Sequence, residues 1–433
     1  MKFKIDTRLV LVTGSKRLAF LAASTLVAAA WAQPATFQGL GGLIKRQGGS
    51  SALGVSPDGS TVVGSADSNL GSEAFVWRAS TGMIGLGLPA NWFPEFEDAS
   101  SFASGATACS GNGDVVTGYV VENENGNLKG FRWDANTGMV KLTEDGFNSG
   151  RDISFDGNTI TGETYTGFLA AKAFRWTLGD GLLALEQSSV QTLGWGISHD
   201  ATVFGGTYSG FPSQAFIFDD TNGLQLLGDL PGGPEWSGAN ALSGDGTTAA
   251  GFGSVAANFQ DQYEAMRWDA TNGMIGLGRL PGTRLSSAFG VSNDGSTVVG
   301  FCFASGNSNA EKAFIWTETD GLQDLKVLLE SQGANLTGWR LRIAYAVSDD
   351  GRTIVGNAFN PSGSTEGFIA RLGSTCSACA ADYDNSGGVD GADVEAFFQE
   401  WQNSASCSDV DSSGGVDGSD VQAFFVRWSA GGC

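Results

Sequence analysis

One pattern recurs seven times between residues 36 and 372, and it constrains the fold more than anything else in the chain. One unit reads Gly54-Val55-Ser56-Pro57-Asp58-Gly59-Ser60-Thr61-Val62-Val63-Gly64, then a variable loop, then Ala74-Phe75-Val76-Trp77 and Thr81-Gly82-Met83-Ile84-Gly85. The serine before the turn returns at Ser110, Ser154, Ser198, Ser243, Ser292 and Ser348, spaced 44 to 56 residues apart. Propeller repeats have periods of about 40 to 50 residues. Asp58-Gly59, Asp156-Gly157, Asp245-Gly246, Asp294-Gly295 and Asp350-Gly351 offer the left-handed backbone of a tight hairpin. A second hairpin is expected at Thr81-Gly82, Thr137-Gly138, Asp180-Gly181, Asn222-Gly223, Asn272-Gly273 and Asp320-Gly321. Two hairpins per unit make a four-stranded antiparallel blade.

The ends of this region sharpen the expectation. Thr36 to Leu43 resembles the closing strand of a unit with nothing before it, and Glu366 to Leu372 a third strand with no fourth after it. Sharing one blade between the two ends gives seven of each strand and removes the exposed edge. The alternative, an open solenoid, requires terminal caps that the sequence lacks. The expected class is therefore all-β, a seven-bladed β-propeller over residues 33–373 with closure between its N- and C-terminal strands. The 65 glycines, 28 phenylalanines and 12 tryptophans, with only 16% charged residues, agree with short strands and tight turns. Phe-x-Trp pairs (Phe131 and Trp133, Phe174 and Trp176, Phe314 and Trp316) belong between neighbouring blades.

Residues 1–32 read as an export signal: a basic start (Lys2, Lys4, Arg8, Lys16, Arg17), an uncharged run from Leu18 to Ala29, and Ala30-Trp31-Ala32 before Gln33. That run is shorter than the ~20 apolar residues of a membrane span. Its removal takes five basic and one acidic side chain and moves the formal charge from −22 to −26. So acidic a chain lacks the basic patches that nucleic acid or anionic membrane demand. Cys376, Cys379, Cys407 and Cys433 cluster in the last 58 residues and imply disulfides in an exported chain, with three pairings open. Cys109 and Cys302 are isolated and expected as buried free thiols.

The repeats resemble the HAF family of extracellular repeats, on Ala313-Phe314-Ile315-Trp316, Gly321-Leu322 with Asp324-Leu325, Gly338-Trp339-Arg340-Leu341 and Ala344 to Gly356. The resemblance implies a repeat fold outside the cell and no established chemistry. Where that family has histidine, this chain has Glu73, Lys129, Lys172, Gln214, Glu264, Lys312 and Glu366.

Residues 374–433 read as a small α-helical domain with paired calcium loops. Asp382 to Asp393 and Asp409 to Asp420 are twelve-residue loops 27 residues apart. Side-chain oxygens stand at positions 1, 3, 5, 9 and 12 of each: Asp382, Asp384, Ser386, Asp390 and Asp393, then Asp409, Asp411, Ser413, Asp417 and Asp420. The carbonyls of Gly388 and Gly415 supply position 7, and glycine occupies position 6, which is the EF-hand ligand pattern for two Ca²⁺ ions. Aspartate at position 12 and serine at position 5 point to weak sites suited to calcium-rich fluid. Each loop leads into a helix with an apolar stripe, Val394, Phe397, Phe398 and Trp401, then Val421, Phe424, Phe425 and Trp428. Loop–helix twice over with aspartate at position 12 resembles a dockerin, and the closing Gly432-Cys433 resembles its GC-type. That resemblance implies a cohesin-like or envelope partner, met near Gly391-Ala392 and Gly418-Ser419.

No catalytic constellation appears in the sequence. His199, the single histidine, is expected as a surface turn residue, so a Ser-His triad or a His-rich zinc site has no basis. Carboxylates beside aromatics (Glu95, Glu97 and Asp98 near Trp92, Phe93 and Phe96; Glu235 with Trp236) leave a polysaccharide-degrading enzyme as the alternative. The first expectation is a secreted binding or scaffold protein whose propeller loops meet a polysaccharide or protein ligand.

Overall fold

The computed structural model describes residues 32–44, 49–69, 71–87, 92, 102–121, 128–165, 171–185, 190–255, 263–304, 311–375, 381, 383, 389–402, 406–408, 410 and 416–430. Seven four-stranded antiparallel blades follow one another in a ring. Their first strands are Ser50–Val55, Phe102–Cys109, Phe147–Ile153, Thr192–Ile197, Ser237–Leu242, Leu285–Val291 and Arg340–Val347. The fourth strand of blade 7 is Thr36–Gly39, paired antiparallel with Thr365–Arg371. The N-terminal strand thus closes the last blade, as the count of strand types required, and the open solenoid is ruled out. A core of Leu40, Ala52, Val355 and Ile369 seals the junction between blades 7 and 1.

Three repeated devices explain the repeated residues. The turn serines are clamps: each Oγ accepts the amide five residues on, at 2.9–3.1 Å in all seven blades. Where Asp follows two residues later, the hydroxyl donates to its carboxylate, as Ser292 does to Asp294 at 2.7 Å. The glycine of each second strand is forced by packing. A Cβ on Gly300 would lie 2.1 Å from the Ser287 carbonyl oxygen and 2.8 Å from the Phe314 ring. The third-strand aromatic that fills this space, Phe75, Phe131, Phe174, Phe216, Phe314 or Phe368, is completely buried, with Met266 in its place in blade 5.

Blades are stapled to their neighbours by polar side chains as well as by apolar cores. The third-strand amides of Ala74, Gly130, Ala173, Ala215, Ala265 and Gly367 donate to Ser104, Asn148, Thr192, Ser237, Ser286 and Ser50 of the next blade. At the sixth junction the equivalent residue is Leu341, buried in an apolar cluster with Ala313 and Ile315. Trp176 reaches back to blade 2, its Nε1 donating to the Leu142 carbonyl at 2.7 Å, the inter-blade place expected of the Phe-x-Trp aromatics. The third-strand residue two before the buried phenylalanine or methionine ties down inter-blade loops: Glu73, Glu264 and Glu366 accept the amides of Gly87, Gly278 and Gly41, and Lys129 donates to the Glu144 and Gly146 carbonyls.

Helix α1, Leu325–Ser331, is capped by Asp324 and buries Leu325 and Leu329 against blade 7. Two further helices, α2 (Gly391–Gln402) and α3 (Gly418–Ala430), pack through Phe397 and Phe424, stacked 4.1 Å apart and 1° from parallel. Among the described residues no helix is long and apolar enough to cross a membrane.

Candidate functional site

The two helices carry a pair of matched capping boxes. The Ala392 amide donates to Asp390 Oδ1 at 2.8 Å, and the Asp390 amide donates to Asp393 Oδ2 at 2.7 Å. In the second copy Ser419 donates to Asp417 Oδ1 at 2.7 Å and the Asp417 amide to Asp420 Oδ2 at 2.8 Å. Asp393 and Asp420 are fully buried. The copies also clamp each other. Trp401 Nε1 donates to the Asp417 carbonyl and Trp428 Nε1 to the Asp390 carbonyl, both at 2.9 Å. Tyr383, inside the first loop, stands edge-on to both stacked phenylalanines and donates to Glu400 at 2.7 Å.

Of the residues expected to hold calcium, Asp390, Asp393, Asp417 and Asp420 are therefore brought to equivalent places. Asp382, Asp384, Ser386, Gly388, Asp409, Asp411, Ser413 and Gly415 lie outside the described residues. Helix capping alone accounts for the four that are described. The donor set nevertheless fits the ion, since a hard cation takes carboxylate oxygens held at a sharp turn, and one buried carboxylate, Asp393 or Asp420, stands at the end of each loop. Among the described residues no three potential ligands group together.

A second site was not anticipated from the sequence. Each first strand carries a β-bulge, and the bulged residues are Leu53, Thr107, Arg151, Trp195, Asn240, Phe289 and Tyr345. A bulge re-aims a side chain, and all seven line an axial cavity of about 370 Å³. The bulge is the framework's constant; its residue is different in every blade. That contrast, one variable position flanked by repeating ones, is the only trace the site leaves in the sequence, and it does not say that the seven positions meet.

Turn residues of the Ser-x-Asp-Gly motif form one mouth of the cavity. Their backbones are joined blade to blade: Gly111 donates to Phe155, Phe155 to His199, His199 to Gly244, Asp245 to Asn293, Asn293 to Asp349 and Asp349 to Pro57, at 2.8–3.2 Å. The ring breaks only between Pro57 and Gly111, because proline has no N–H to give. His199, expected as a plain surface residue, belongs to this rim. Its Nε2 lies 3.4 Å from Asp349 Oδ1, its ring packs 5.3 Å from that of Phe155, and burial holds its pKa below the ordinary value.

Buried charge distinguishes the cavity. Arg151 makes a two-pronged ion pair with Glu163 (2.6–3.1 Å) and lies 4.6 Å over the Trp195 ring. Burial opposes its charge, but Glu163 outweighs burial and raises the guanidinium pKa. Asp152 accepts the amides of Ile153 and Ile197 at 2.9 and 3.0 Å, yet burial pushes its carboxyl up to about 6. Asp349 is pushed up to about 7, by burial first and then by Asp350, Asp58 and Asp294.

Of the two carboxylate loops of the catalytic alternative, the structure describes the one at Glu235 and Trp236. Asp229 holds its loop by accepting the Leu230 and Trp236 amides, Glu235 is exposed, and Trp236 packs into a cluster with Phe252 and Tyr263. Glu95, Glu97, Asp98, Phe93 and Phe96 lie outside the described residues, and Trp92 sits under Lys141. Cys109 and Cys302 are buried free thiols, as expected.

Strand pairing and ring closure define this chain as a seven-bladed β-propeller followed by a small helical unit. No family model matches it, and no curated protein does. Among solved structures it is similar to TolB from Acinetobacter baumannii, at 16% identity and a TM-score of 0.42, over 60% of this chain and 62% of that one. It is also similar to the β-propeller domain of the Trilobed protease from Pyrococcus furiosus, at 11% identity and a TM-score of 0.49, over 75% of this chain and 95% of that one. The chain thus spans less than two thirds of the TolB length.

Proposed function

We propose that the chain is an exported binding or scaffold protein, a HAF-type propeller held in place by a calcium-dependent, GC-type dockerin-like module. The observation that carries this reading is the duplicated helix pair. Matched capping boxes at Asp390/Asp393 and Asp417/Asp420, cross-clamped by Trp401 and Trp428, end two loops of EF-hand ligand spacing. One Ca²⁺ per loop supplies the positive charge that gathers each loop's carboxylates. Asp382, Asp384, Ser386, Gly388, Asp390 and Asp393 hold the first ion, and Asp409, Asp411, Ser413, Gly415, Asp417 and Asp420 the second.

Export is supported by the basic and apolar start of the chain and by the cysteine cluster, of which Cys376, Cys379 and Cys433 lie outside the described residues. The module docks to a cohesin-like or envelope protein, leaving the propeller to meet a ligand outside the cell. Calorimetric titration of the full chain with CaCl₂ tests the metal reading. Two ions bind, and Asp382→Ala with Asp409→Ala abolishes the uptake; unchanged uptake in that double variant refutes it.

A further inference from the structure

The axial cavity combines features that select a ligand by charge. Blades 6 and 7 stand opposite blade 3 in a seven-membered ring, so the bulged Phe289 and Tyr345 face Arg151 and Asp152 across the axis. Phe289 stacks on Phe301 (5.6 Å, 14°) and lies 5.5 Å from Tyr345, which fixes an aromatic wall. Its lining includes one guanidinium, one imidazole and two carboxyl groups, from Arg151, His199, Asp152 and Asp349, beside the neutral thiol of Cys109 and phenol of Tyr345. Arg151 is paired with Glu163, and burial disfavours the charged form of His199. Neither Asp152 nor Asp349 is ion-paired with a lysine or arginine among the described residues. The cavity is therefore acidic and half aromatic, while the rim adds the turn carboxylates of Asp58, Asp294 and Asp350.

We propose that this cavity binds a small organic cation, a quaternary ammonium or amine on an apolar body. Its body lies on the Phe289–Tyr345 wall and its charge faces Asp152 and Asp349. An aromatic face attracts a desolvated cation, and a carboxylate without a basic partner gains most from one. The volume suits a molecule of ligand size. This assignment rests on the proposed reading only in taking the propeller as the ligand-bearing part. It needs no calcium.

Tryptophan fluorescence of the full chain, through Trp195, follows titration with benzyltrimethylammonium, its neutral isostere neopentylbenzene, and benzoate. The expected result is binding of the cation at least about tenfold tighter than the isostere, with no benzoate binding, unchanged by EDTA. Asp349→Asn lowers the cation's affinity and leaves the isostere's alone. Equal affinity for cation and isostere, preference for benzoate, or no cation binding at millimolar concentration overturns the proposal, and none of these depends on a variant folding. Loss of calcium uptake with cation binding intact separates failure of the anchor reading from failure of this one.

Discussion

Replacing Asp349 by Asn changes stability in a direction that ordinary removal of a charged rim residue does not. In the folded protein its carboxyl is raised from 3.8 to about 7, with burial the first cause and the carboxylates of Asp350, Asp58 and Asp294 next. Between those two values the unfolded chain has released this proton while the folded chain retains it. Stability therefore falls as pH rises from about 4 to 7 and is level above that. A shift of that size corresponds to at most about 4 kcal/mol. The side chain keeps 21% exposure and has His199 at 3.4 Å, so solvent screening and that contact reduce the figure to roughly 2 kcal/mol. The amide of Asp349 still donates to Pro57, so the backbone ring is unaffected. Urea unfolding of the full chain and the variant at pH 4 and pH 8 reads the effect directly. The variant is more stable by about 2 kcal/mol at pH 8 and equal to the wild type at pH 4. A variant no more stable at pH 8, or equally stabilised at both pH values, refutes the reasoning. Such a gain also marks a carboxylate kept at a cost to stability, which is the signature of a group held for a ligand.

Three further outcomes follow from the framework. Ala201 takes φ 60° where sister turns have glycine, so Ala201→Gly stabilises the propeller by about 1 kcal/mol in thermal unfolding, a left-handed alanine costing more than the added unfolded-state entropy of glycine. Gly300→Ala drives a methyl into the Ser287 carbonyl and costs about 3 kcal/mol, read as a lowered unfolding midpoint. Trp428→Phe removes the bond to the Asp390 carbonyl and so weakens calcium binding in the first loop rather than in the loop preceding its own helix, by about 1 kcal/mol in calcium titration of the Asp409→Ala background.

The propeller was legible because its framework is written seven times. Serine clamps, Asp-Gly turns and strand-two glycines recur with the same backbone duty, and the half-units at Thr36 and Glu366 announced the closure. The apolar stripes at Phe397 and Phe424 likewise became the helix–helix core. The axial cavity was not legible. Its seven residues share neither type nor hydropathy, and only the bulge geometry makes Leu53, Arg151 and Tyr345 equivalent. His199 shows the same limit: a turn residue in one strand pair becomes a rim residue only when seven turns meet around an axis. The roles of Asp390 and Asp417 as helix caps were hidden behind their metal-ligand spacing, because the two functions call for the same side chain.

Capture of a partner from envelope extract, with calcium and with chelator, tests the anchor most directly, using the full chain and a form ending at residue 373. The account predicts a partner held by the longer form in calcium and released by chelator, with nothing held by the shorter form. Retention of the same partner by the shorter form in the presence of chelator would contradict it and place recognition on the propeller.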